Sequence, residues 1–303
     1  MNTPGLVGPV VALLAAPLFL GVIHRTKAVF AGRNGQPMLQ VYFDLAKLLR
    51  KGAVLSRTTT GVFALGPAVA IGAPIAALSL LPQAGFPSLI AFPGDFVLLA
   101  ALLASARFLT MAAALDTGSS FEGMGASREA TFSALAEPVL LLCLAAAARV
   151  SGSASLTGIV GGLTEADWQR GAPVLLLVGV ALLGVLLAEN SRIPVDDPAT
   201  HLELTMIHEV MVLDHGGPDL AWIQWGAALK LWVMGALSVG VMLPIRTGSA
   251  WLDAASFLAA MAGLAVAIGV IESTIARLRM ARVPQFLIGA GAFAIVAIAL
   301  ILR

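Results

Sequence analysis

The sequence predicts an all-α fold, a polytopic membrane protein of about eight transmembrane helices with amphipathic helices on its inner surface. Two observations carry this. Of the 303 residues, 59% are hydrophobic and 12% charged, with a mean hydropathy of +0.94, whereas an ordinary soluble domain has about 25% charged residues. Apolar runs of roughly 20 residues, each long enough to cross a hydrocarbon core about 30 Å thick, recur along the whole chain. They leave no soluble domain between them, so residues 1–303 read as a single transmembrane domain. A formal net charge of +1 argues against nucleic acid as a partner.

The first span, about 5–24, follows MNTPG without a basic leader, and its positive residues, Arg25 and Lys27, come after it. That is the charge order of a retained helix with its N-terminus outside. The other spans are expected at about 61–81, 94–115, 130–149, 173–190, 225–245, 252–275 and 284–302. With this threading, 12 of the 18 Lys and Arg fall on the inner side and four on the outer, while Arg107 and Lys230 lie within spans. The bias puts both termini outside.

Three inner connections follow, at about 25–60, 116–129 and 190–224. The first turns at 33–37 and continues as an amphipathic stretch in which Tyr42, Phe43, Leu45 and Leu48 alternate with Asp44, Lys47 and Arg50 at helical spacing. This predicts an inner-surface helix carrying Arg33, Gln40, Asp44 and Lys47. The second connection, TGSSFEGMGASRE, is short and glycine-rich. The third gathers Glu189, Asp196, Asp197, Glu203 and Glu209, five of the 17 acidic residues. In it, Asp197-Pro198 is a helix-start signal, and the helix is expected to run to Leu213 and stop near Gly216, Gly217 and Pro218. Gly66-Pro67 and Gly72-Ala73-Pro74 in the second span fit either a broken transporter-type helix or an ordinary membrane helix.

Ionisable side chains at membrane depth cost roughly 2.5–3.5 kcal/mol each on insertion scales, so Arg107, Glu129, Glu137, Glu189, Lys230 and Glu272 call for a function or a partner. Glu129 and Glu137 lie about 12 Å apart along one helix and some 80° around it. That suits carboxylates linked by water in a relay; static pairing with Arg107 or Lys230 is the alternative. His201 and His208 are seven apart and can share a helix face, but a metal site prefers i, i+4 spacing or a cysteine partner. Hydrogen bonding at a protein interface is expected of them, and no metal in this chain. The one cysteine, Cys143, sits in an apolar run and rules out an internal disulfide or a cysteine-ligated cluster. No glycine-rich nucleotide motif is present.

The run AENSRIPVDDPATHLELTMIHEVMVLDHGGPDLA (188–221), with LDTGSSFEGMGASREA (115–130) and FAGRNGQPMLQVYFDLAKLLRKG (30–52), resembles the subunit 1 family of respiratory NADH:quinone oxidoreductase. It is more similar still to that family's relatives in membrane-bound group 4 nickel-iron hydrogenases of the formate hydrogenlyase or energy-converting type. The resemblance implies an eight-helix anchor without a redox centre of its own. It would dock an electron-transferring hydrophilic arm and link it to an ion-translocating membrane arm in the inner membrane of a prokaryote.

Glu129, Glu137 and Glu189 would correspond to the family's buried acids, joined in a proton path by Glu203, Glu272, Arg107 and Lys230. Arg192, Asp196, Asp197, His201, His208, Glu209 and Asp214 would form the partner-docking loop. The implied partners are the hydrogenase large and small subunits, an iron-sulfur subunit and antiporter-like membrane subunits, with the Fe-S clusters and the Ni-Fe centre in those partners. Quinone-reducing members tend to read P-F-D-L-P-E-A-E where this chain has PVDDPATHLE, which favours hydrogen chemistry over quinone reduction. A quinone-site subunit of an NADH-oxidising complex, a stand-alone secondary transporter and a pure anchor remain the alternatives.

Overall fold

In a computed structural model, residues 3–83, 85–197, 206–244 and 247–302 are described, and they form helices and connecting turns with no β-strand among them. In chain order the helices are α1 (Val7–Phe30), α2 (Gln40–Leu49), α3 (Gly61–Leu80), α4 (Asp95–Asp116), α5 (Ser120–Ser151), α6 (Leu156–Gly161), α7 (Glu165–Glu189), α8 (Gly217–Met242), α9 (Ala250–Thr274) and α10 (Val283–Ile301). All but α2 and α6 are long and apolar enough to cross a bilayer, which makes eight spans. Successive crossings bring the connections around 31–60, 117–119, 190–216 and 275–282 to one end of the bundle, the polar end. Cross-links there include the Thr60 N–H on Asp116 at 2.6 Å and the Leu278 N–H on the Pro194 carbonyl at 2.8 Å.

Helix α8 is the centre of the bundle. Its apolar stretch is 72% buried, against 22% for α9 at the periphery. Proline explains two of its contacts. A proline has no N–H to give the carbonyl four residues back, so Pro17 frees the Leu13 carbonyl, and Trp225 Nε1 of α8 donates to it at 3.3 Å. Pro74 likewise frees the Ala70 carbonyl of α3, and α8 passes directly beside it at Gly226, where a Cβ would strike that oxygen. Helix α3 nonetheless runs unbroken from Gly61 to Leu80, so its Gly-Pro pairs mark close packing and not a transporter-type break.

Three expectations change. The segment 116–129 is not a loop: the chain turns at Gly118 (φ +71°) and is helical from Ser120. Gly125 serves close approach there, because residues 207–211 lie where its side chain would be. The stretch 206–213 is not α-helical, being irregular up to a single 3-10 turn at Glu209–Val212. Its Ile207 and His208 N–H groups are held by the Asp196 carboxylate, at 3.0 and 3.4 Å, instead of by carbonyls one turn back. Gly217 and Pro218 do not stop a helix but start α8, with proline in its first turn. Helix α2 packs back along α1: the Tyr42 hydroxyl donates to the Leu14 carbonyl, 16 residues before Phe30 and thus about 24 Å back along α1. Arg33, Asp44 and Lys47 stay exposed, and Gln40 Nε2 donates to Asp44 at 2.9 Å. His201 and Glu203, with residues 198–205, lie outside the described residues.

Candidate functional site

At membrane depth, α4, α5, α7 and α8 each bring ionisable side chains to one place. Arg107 of α4 is the hub. Its Nη1 lies 2.6 Å from Glu189 of α7 and its Nη2 2.9 Å from Glu137 of α5, while Nε stands 4.0 Å from Glu129, also on α5. The second cation, Lys230 of α8, reaches the other Glu189 oxygen at 3.1 Å and donates to the Glu189 backbone carbonyl at 2.5 Å. The two α5 acids, eight residues apart, thus meet a single guanidinium, and pairing with both cations is built into the cluster. Arg107, Glu129, Glu189 and Lys230 are buried, but the Glu137 side chain is 40% exposed on the flank of the bundle.

A second ionic group closes the polar end. Glu272 of α9 is held by Lys27 of α1 at 2.8 Å and by Arg192, just past α7, at 3.3 Å. Arg277 pairs with Asp196 at 2.8 Å. The chain reaches these positions through a sharp exit from α7, where Ser191 adopts a left-handed conformation (φ +50°) and the Arg192 N–H returns to the Leu187 carbonyl at 2.8 Å.

A cavity of about 90 Å³ joins the two groups, lined by Arg107, Glu189 and Lys230 from the first, Arg192 from the second, and His208 between them. Burial pushes the His208 imidazole down to about 4; Lys230 and Arg107 act in the same direction and Glu189 opposes them. Burial also holds the Asp196 carboxyl above its usual range, in spite of Arg277 and the three N–H groups it accepts.

Residues 5–302 match the family described as NADH dehydrogenase. The chain belongs to that family. Within it, the chain is 32% identical over 286 residues to formate hydrogenlyase subunit 4 of Escherichia coli, covering 92% of each chain. It is 34% identical over 236 residues to hydrogenase-4 component C of the same organism, covering 78% of this chain and 73% of that one. The fold is shared with a chain of the membrane-bound sulfane sulfur reductase, an archaeal respiratory membrane complex, with a TM-score of 0.82 at 23% identity, over 97% of this chain and 98% of that one.

In this family member the structure brings together Arg107, Glu129, Glu137, Glu189 and Lys230, and places Glu272 in the neighbouring group. Arg192 and Asp196, expected on a docking surface, are buried and paired inside the chain, and His208 faces the cavity. Asp214 is exposed, while Asp197 and Glu209 are half-buried. Lys27 and Arg277 contribute to the sequence only as basic residues near span ends, and nothing in their spacing marks them as partners of Glu272 and Asp196. Glu122, which carries no signal in the glycine-rich stretch, is fully buried and accepts the Asp214 N–H at 3.0 Å, tying the same loop to α5. Among the described residues no group of three His, Cys, Asp or Glu is arranged to hold a metal ion.

Proposed function

We propose that the chain is the non-redox membrane subunit of a multisubunit membrane-bound nickel-iron hydrogenase complex. It anchors the hydrophilic electron-transfer arm and couples redox chemistry to translocation of protons, or sodium ions, through buried carboxylates. The two relatives named after hydrogenase complexes support the partner class, with large, small and iron-sulfur subunits above the polar end and antiporter-like subunits beside it. The basic residues concentrated at that end support its placement on the inner side.

The observation that carries the coupling is the imbalance of the Arg107 cluster. Three carboxylates share two cations, so one negative charge is uncompensated in a medium that penalises it, and a proton there relieves the excess. Glu129, the acid farthest from Arg107, is the natural holder of that proton. At an effective dielectric near 20, a unit charge about 8 Å away is worth about 2 kcal/mol, enough to move such a proton. Charge changes in the arm act first on the loop, whose Arg192 and His208 line the cavity beside the cluster. Glu137, open on the flank, exchanges the proton with a neighbouring membrane subunit.

The quinone alternative loses support from size. The cavity, at about 90 Å³, is smaller than the ~150 Å³ that accommodates a benzene in an engineered core, and a quinone headgroup is larger than benzene. The unbroken α3 removes the motive for a stand-alone transporter.

The test is Glu137→Gln and Glu189→Gln in the assembled complex in sealed vesicles, measuring hydrogen turnover and ion movement together. Ions moved per hydrogen should fall roughly tenfold or more in both. If both variants keep the parent ratio, the chain is an anchor and not a coupling device.

A further inference from the structure

The two ionic groups joined by the cavity at Arg107 set four cations, Lys27, Arg107, Arg192 and Lys230, against four carboxylates, Glu129, Glu137, Glu189 and Glu272. A proton on Glu129 makes the Arg107 cluster neutral. One positive charge then stands uncompensated in the second group, where Lys27 and Arg192 share the single carboxylate of Glu272. The Lys27 side chain is 26% exposed and can be solvated, whereas Arg192 is 7% exposed and lines the cavity. Arg192 is also short of acceptors. A guanidinium has five N–H groups, and among the described residues this one makes a single hydrogen bond, from Nη1 to Glu272 at 3.3 Å. None of its nitrogens is among the unpartnered atoms closed to water, so the unused N–H groups are open to the cavity.

The lining repeats the imbalance: Arg107, Arg192 and Lys230 face the space against one carboxylate, Glu189, and His208, with its value of about 4, is neutral at ordinary pH. A buried cation without a partner is costly, so the position calls for a negative charge. One water needs only about 10–15 Å³, so a cavity of about 90 Å³ admits a monatomic anion with a few waters and excludes a bulky organic one. Ala227, in the lining, is exposed, and the cavity opens at that edge. We infer that the cavity is a site for a small monovalent anion such as chloride, held by Arg192 with Arg107 and Lys230 and bound together with the proton on Glu129. The site rests on the coupling reading, which places that proton. Loss of the proton supplies a negative charge that offsets Arg192 and repels the anion. The charged groups facing Glu129 are Lys230 of α8, Arg107 of α4, Glu189 of α7 and Asp196 of the loop. All four are tied in ion pairs, which leaves the proton and the anion as the charges that exchange.

The experiment adds chloride to the assembled complex in gluconate buffer and reads the excess line width in chlorine NMR, which reports bound chloride whether or not any ion is moved. No bound chloride would overturn the site and leave the coupling reading, which is tested by ion movement, untouched. Arg192→Gln combined with Glu272→Gln removes the cation together with its buried partner and should weaken chloride binding about tenfold or more. In the parent the affinity should fall about tenfold as rising pH takes the proton from Glu129, whereas Glu129→Gln, neutral at every pH, should hold its affinity over the same range. Equal binding in the parent and the double variant overturns the site, as does a pH dependence that Glu129→Gln retains. Should the double variant fail to assemble, the Glu129→Gln comparison decides alone, and the parent's pH dependence in that variant overturns the proposal.

Discussion

Glu189 carries both buried cations, Arg107 on one carboxylate oxygen and Lys230 on the other. Removing one member of a buried pair strands the other, at a cost of about 3–5 kcal/mol, whereas removing both leaves less charge unmatched. Lys230→Met should therefore lower the thermal midpoint of the purified complex, and adding Glu189→Gln should recover about 1–3 kcal/mol of that loss. Strictly additive losses would show that the pair acts as two independent charges. His208 gives a pH signature. Its folded value of about 4 lies below the ordinary 6.5, so the unfolded chain binds more protons between those values, and His208 adds stability that is full above pH 6.5 and is lost as the pH falls toward 4. Thermal midpoints measured across that window should rise with pH in the parent and rise less in His208→Gln; identical slopes would mean that the imidazole titrates normally. At this scale the sequence shows which charges need explaining, because each is costly alone in an apolar run. It does not show which meet: Lys27 and Glu272 sit near opposite ends of the chain, and only packing of α1 on α9 brings them together.

Between residues and bundle, the informative element is the stretch 206–212 that lies on α5. A single 3-10 turn is the only helical structure it has of its own. Asp196 takes its N–H groups, Arg128 Nη1 of α5 donates to the Met206 carbonyl at 2.7 Å, and the backbone passes over Gly125. A Cβ at Gly125 would meet Val210, Met211 and the Ile207 carbonyl, and overpacking of this kind costs about 1–3 kcal/mol. Gly125→Leu should lift the stretch, so that hydrogen exchange of its amides accelerates while α10 keeps its protection; unchanged exchange would mean that α5 does not seat the loop. The apolar cores of the spans are legible because length and hydropathy set them. Glycine and proline are ambiguous, since the same residues that end helices also permit close approach and start them. That ambiguity is why 116–129 reads as a loop, and why Gly217-Pro218 reads as a stop when it opens α8.

For the molecule as a whole, the polar end matters because ion pairs there tie the loop after α7 to the ends of α1 and α9. Glu272 and Arg277 sit at and just beyond the end of α9, Lys27 sits near the end of α1, and Arg192 lies just past α7. The number of spans follows from the sequence, but the side of the membrane this end faces rests on charge bias alone: 12 Lys and Arg on one side against four on the other. The single cysteine makes the orientation measurable, since Cys143 is buried and out of reach of a bulky reagent. Ser56→Cys at the polar end and Ala154→Cys at the opposite end both place a thiol at an exposed position. In membranes stripped of soluble subunits, a membrane-impermeant maleimide should label Ser56→Cys in inverted vesicles only and Ala154→Cys in right-side-out vesicles only. The reverse pattern would put the polar end outside, away from any electron-transferring arm in the cytoplasm. The ion pairs would then remain as structural ties, because a charge arriving on the far side of a hydrocarbon layer about 30 Å thick lies well beyond the ~8 Å range over which a unit charge can move a buried proton.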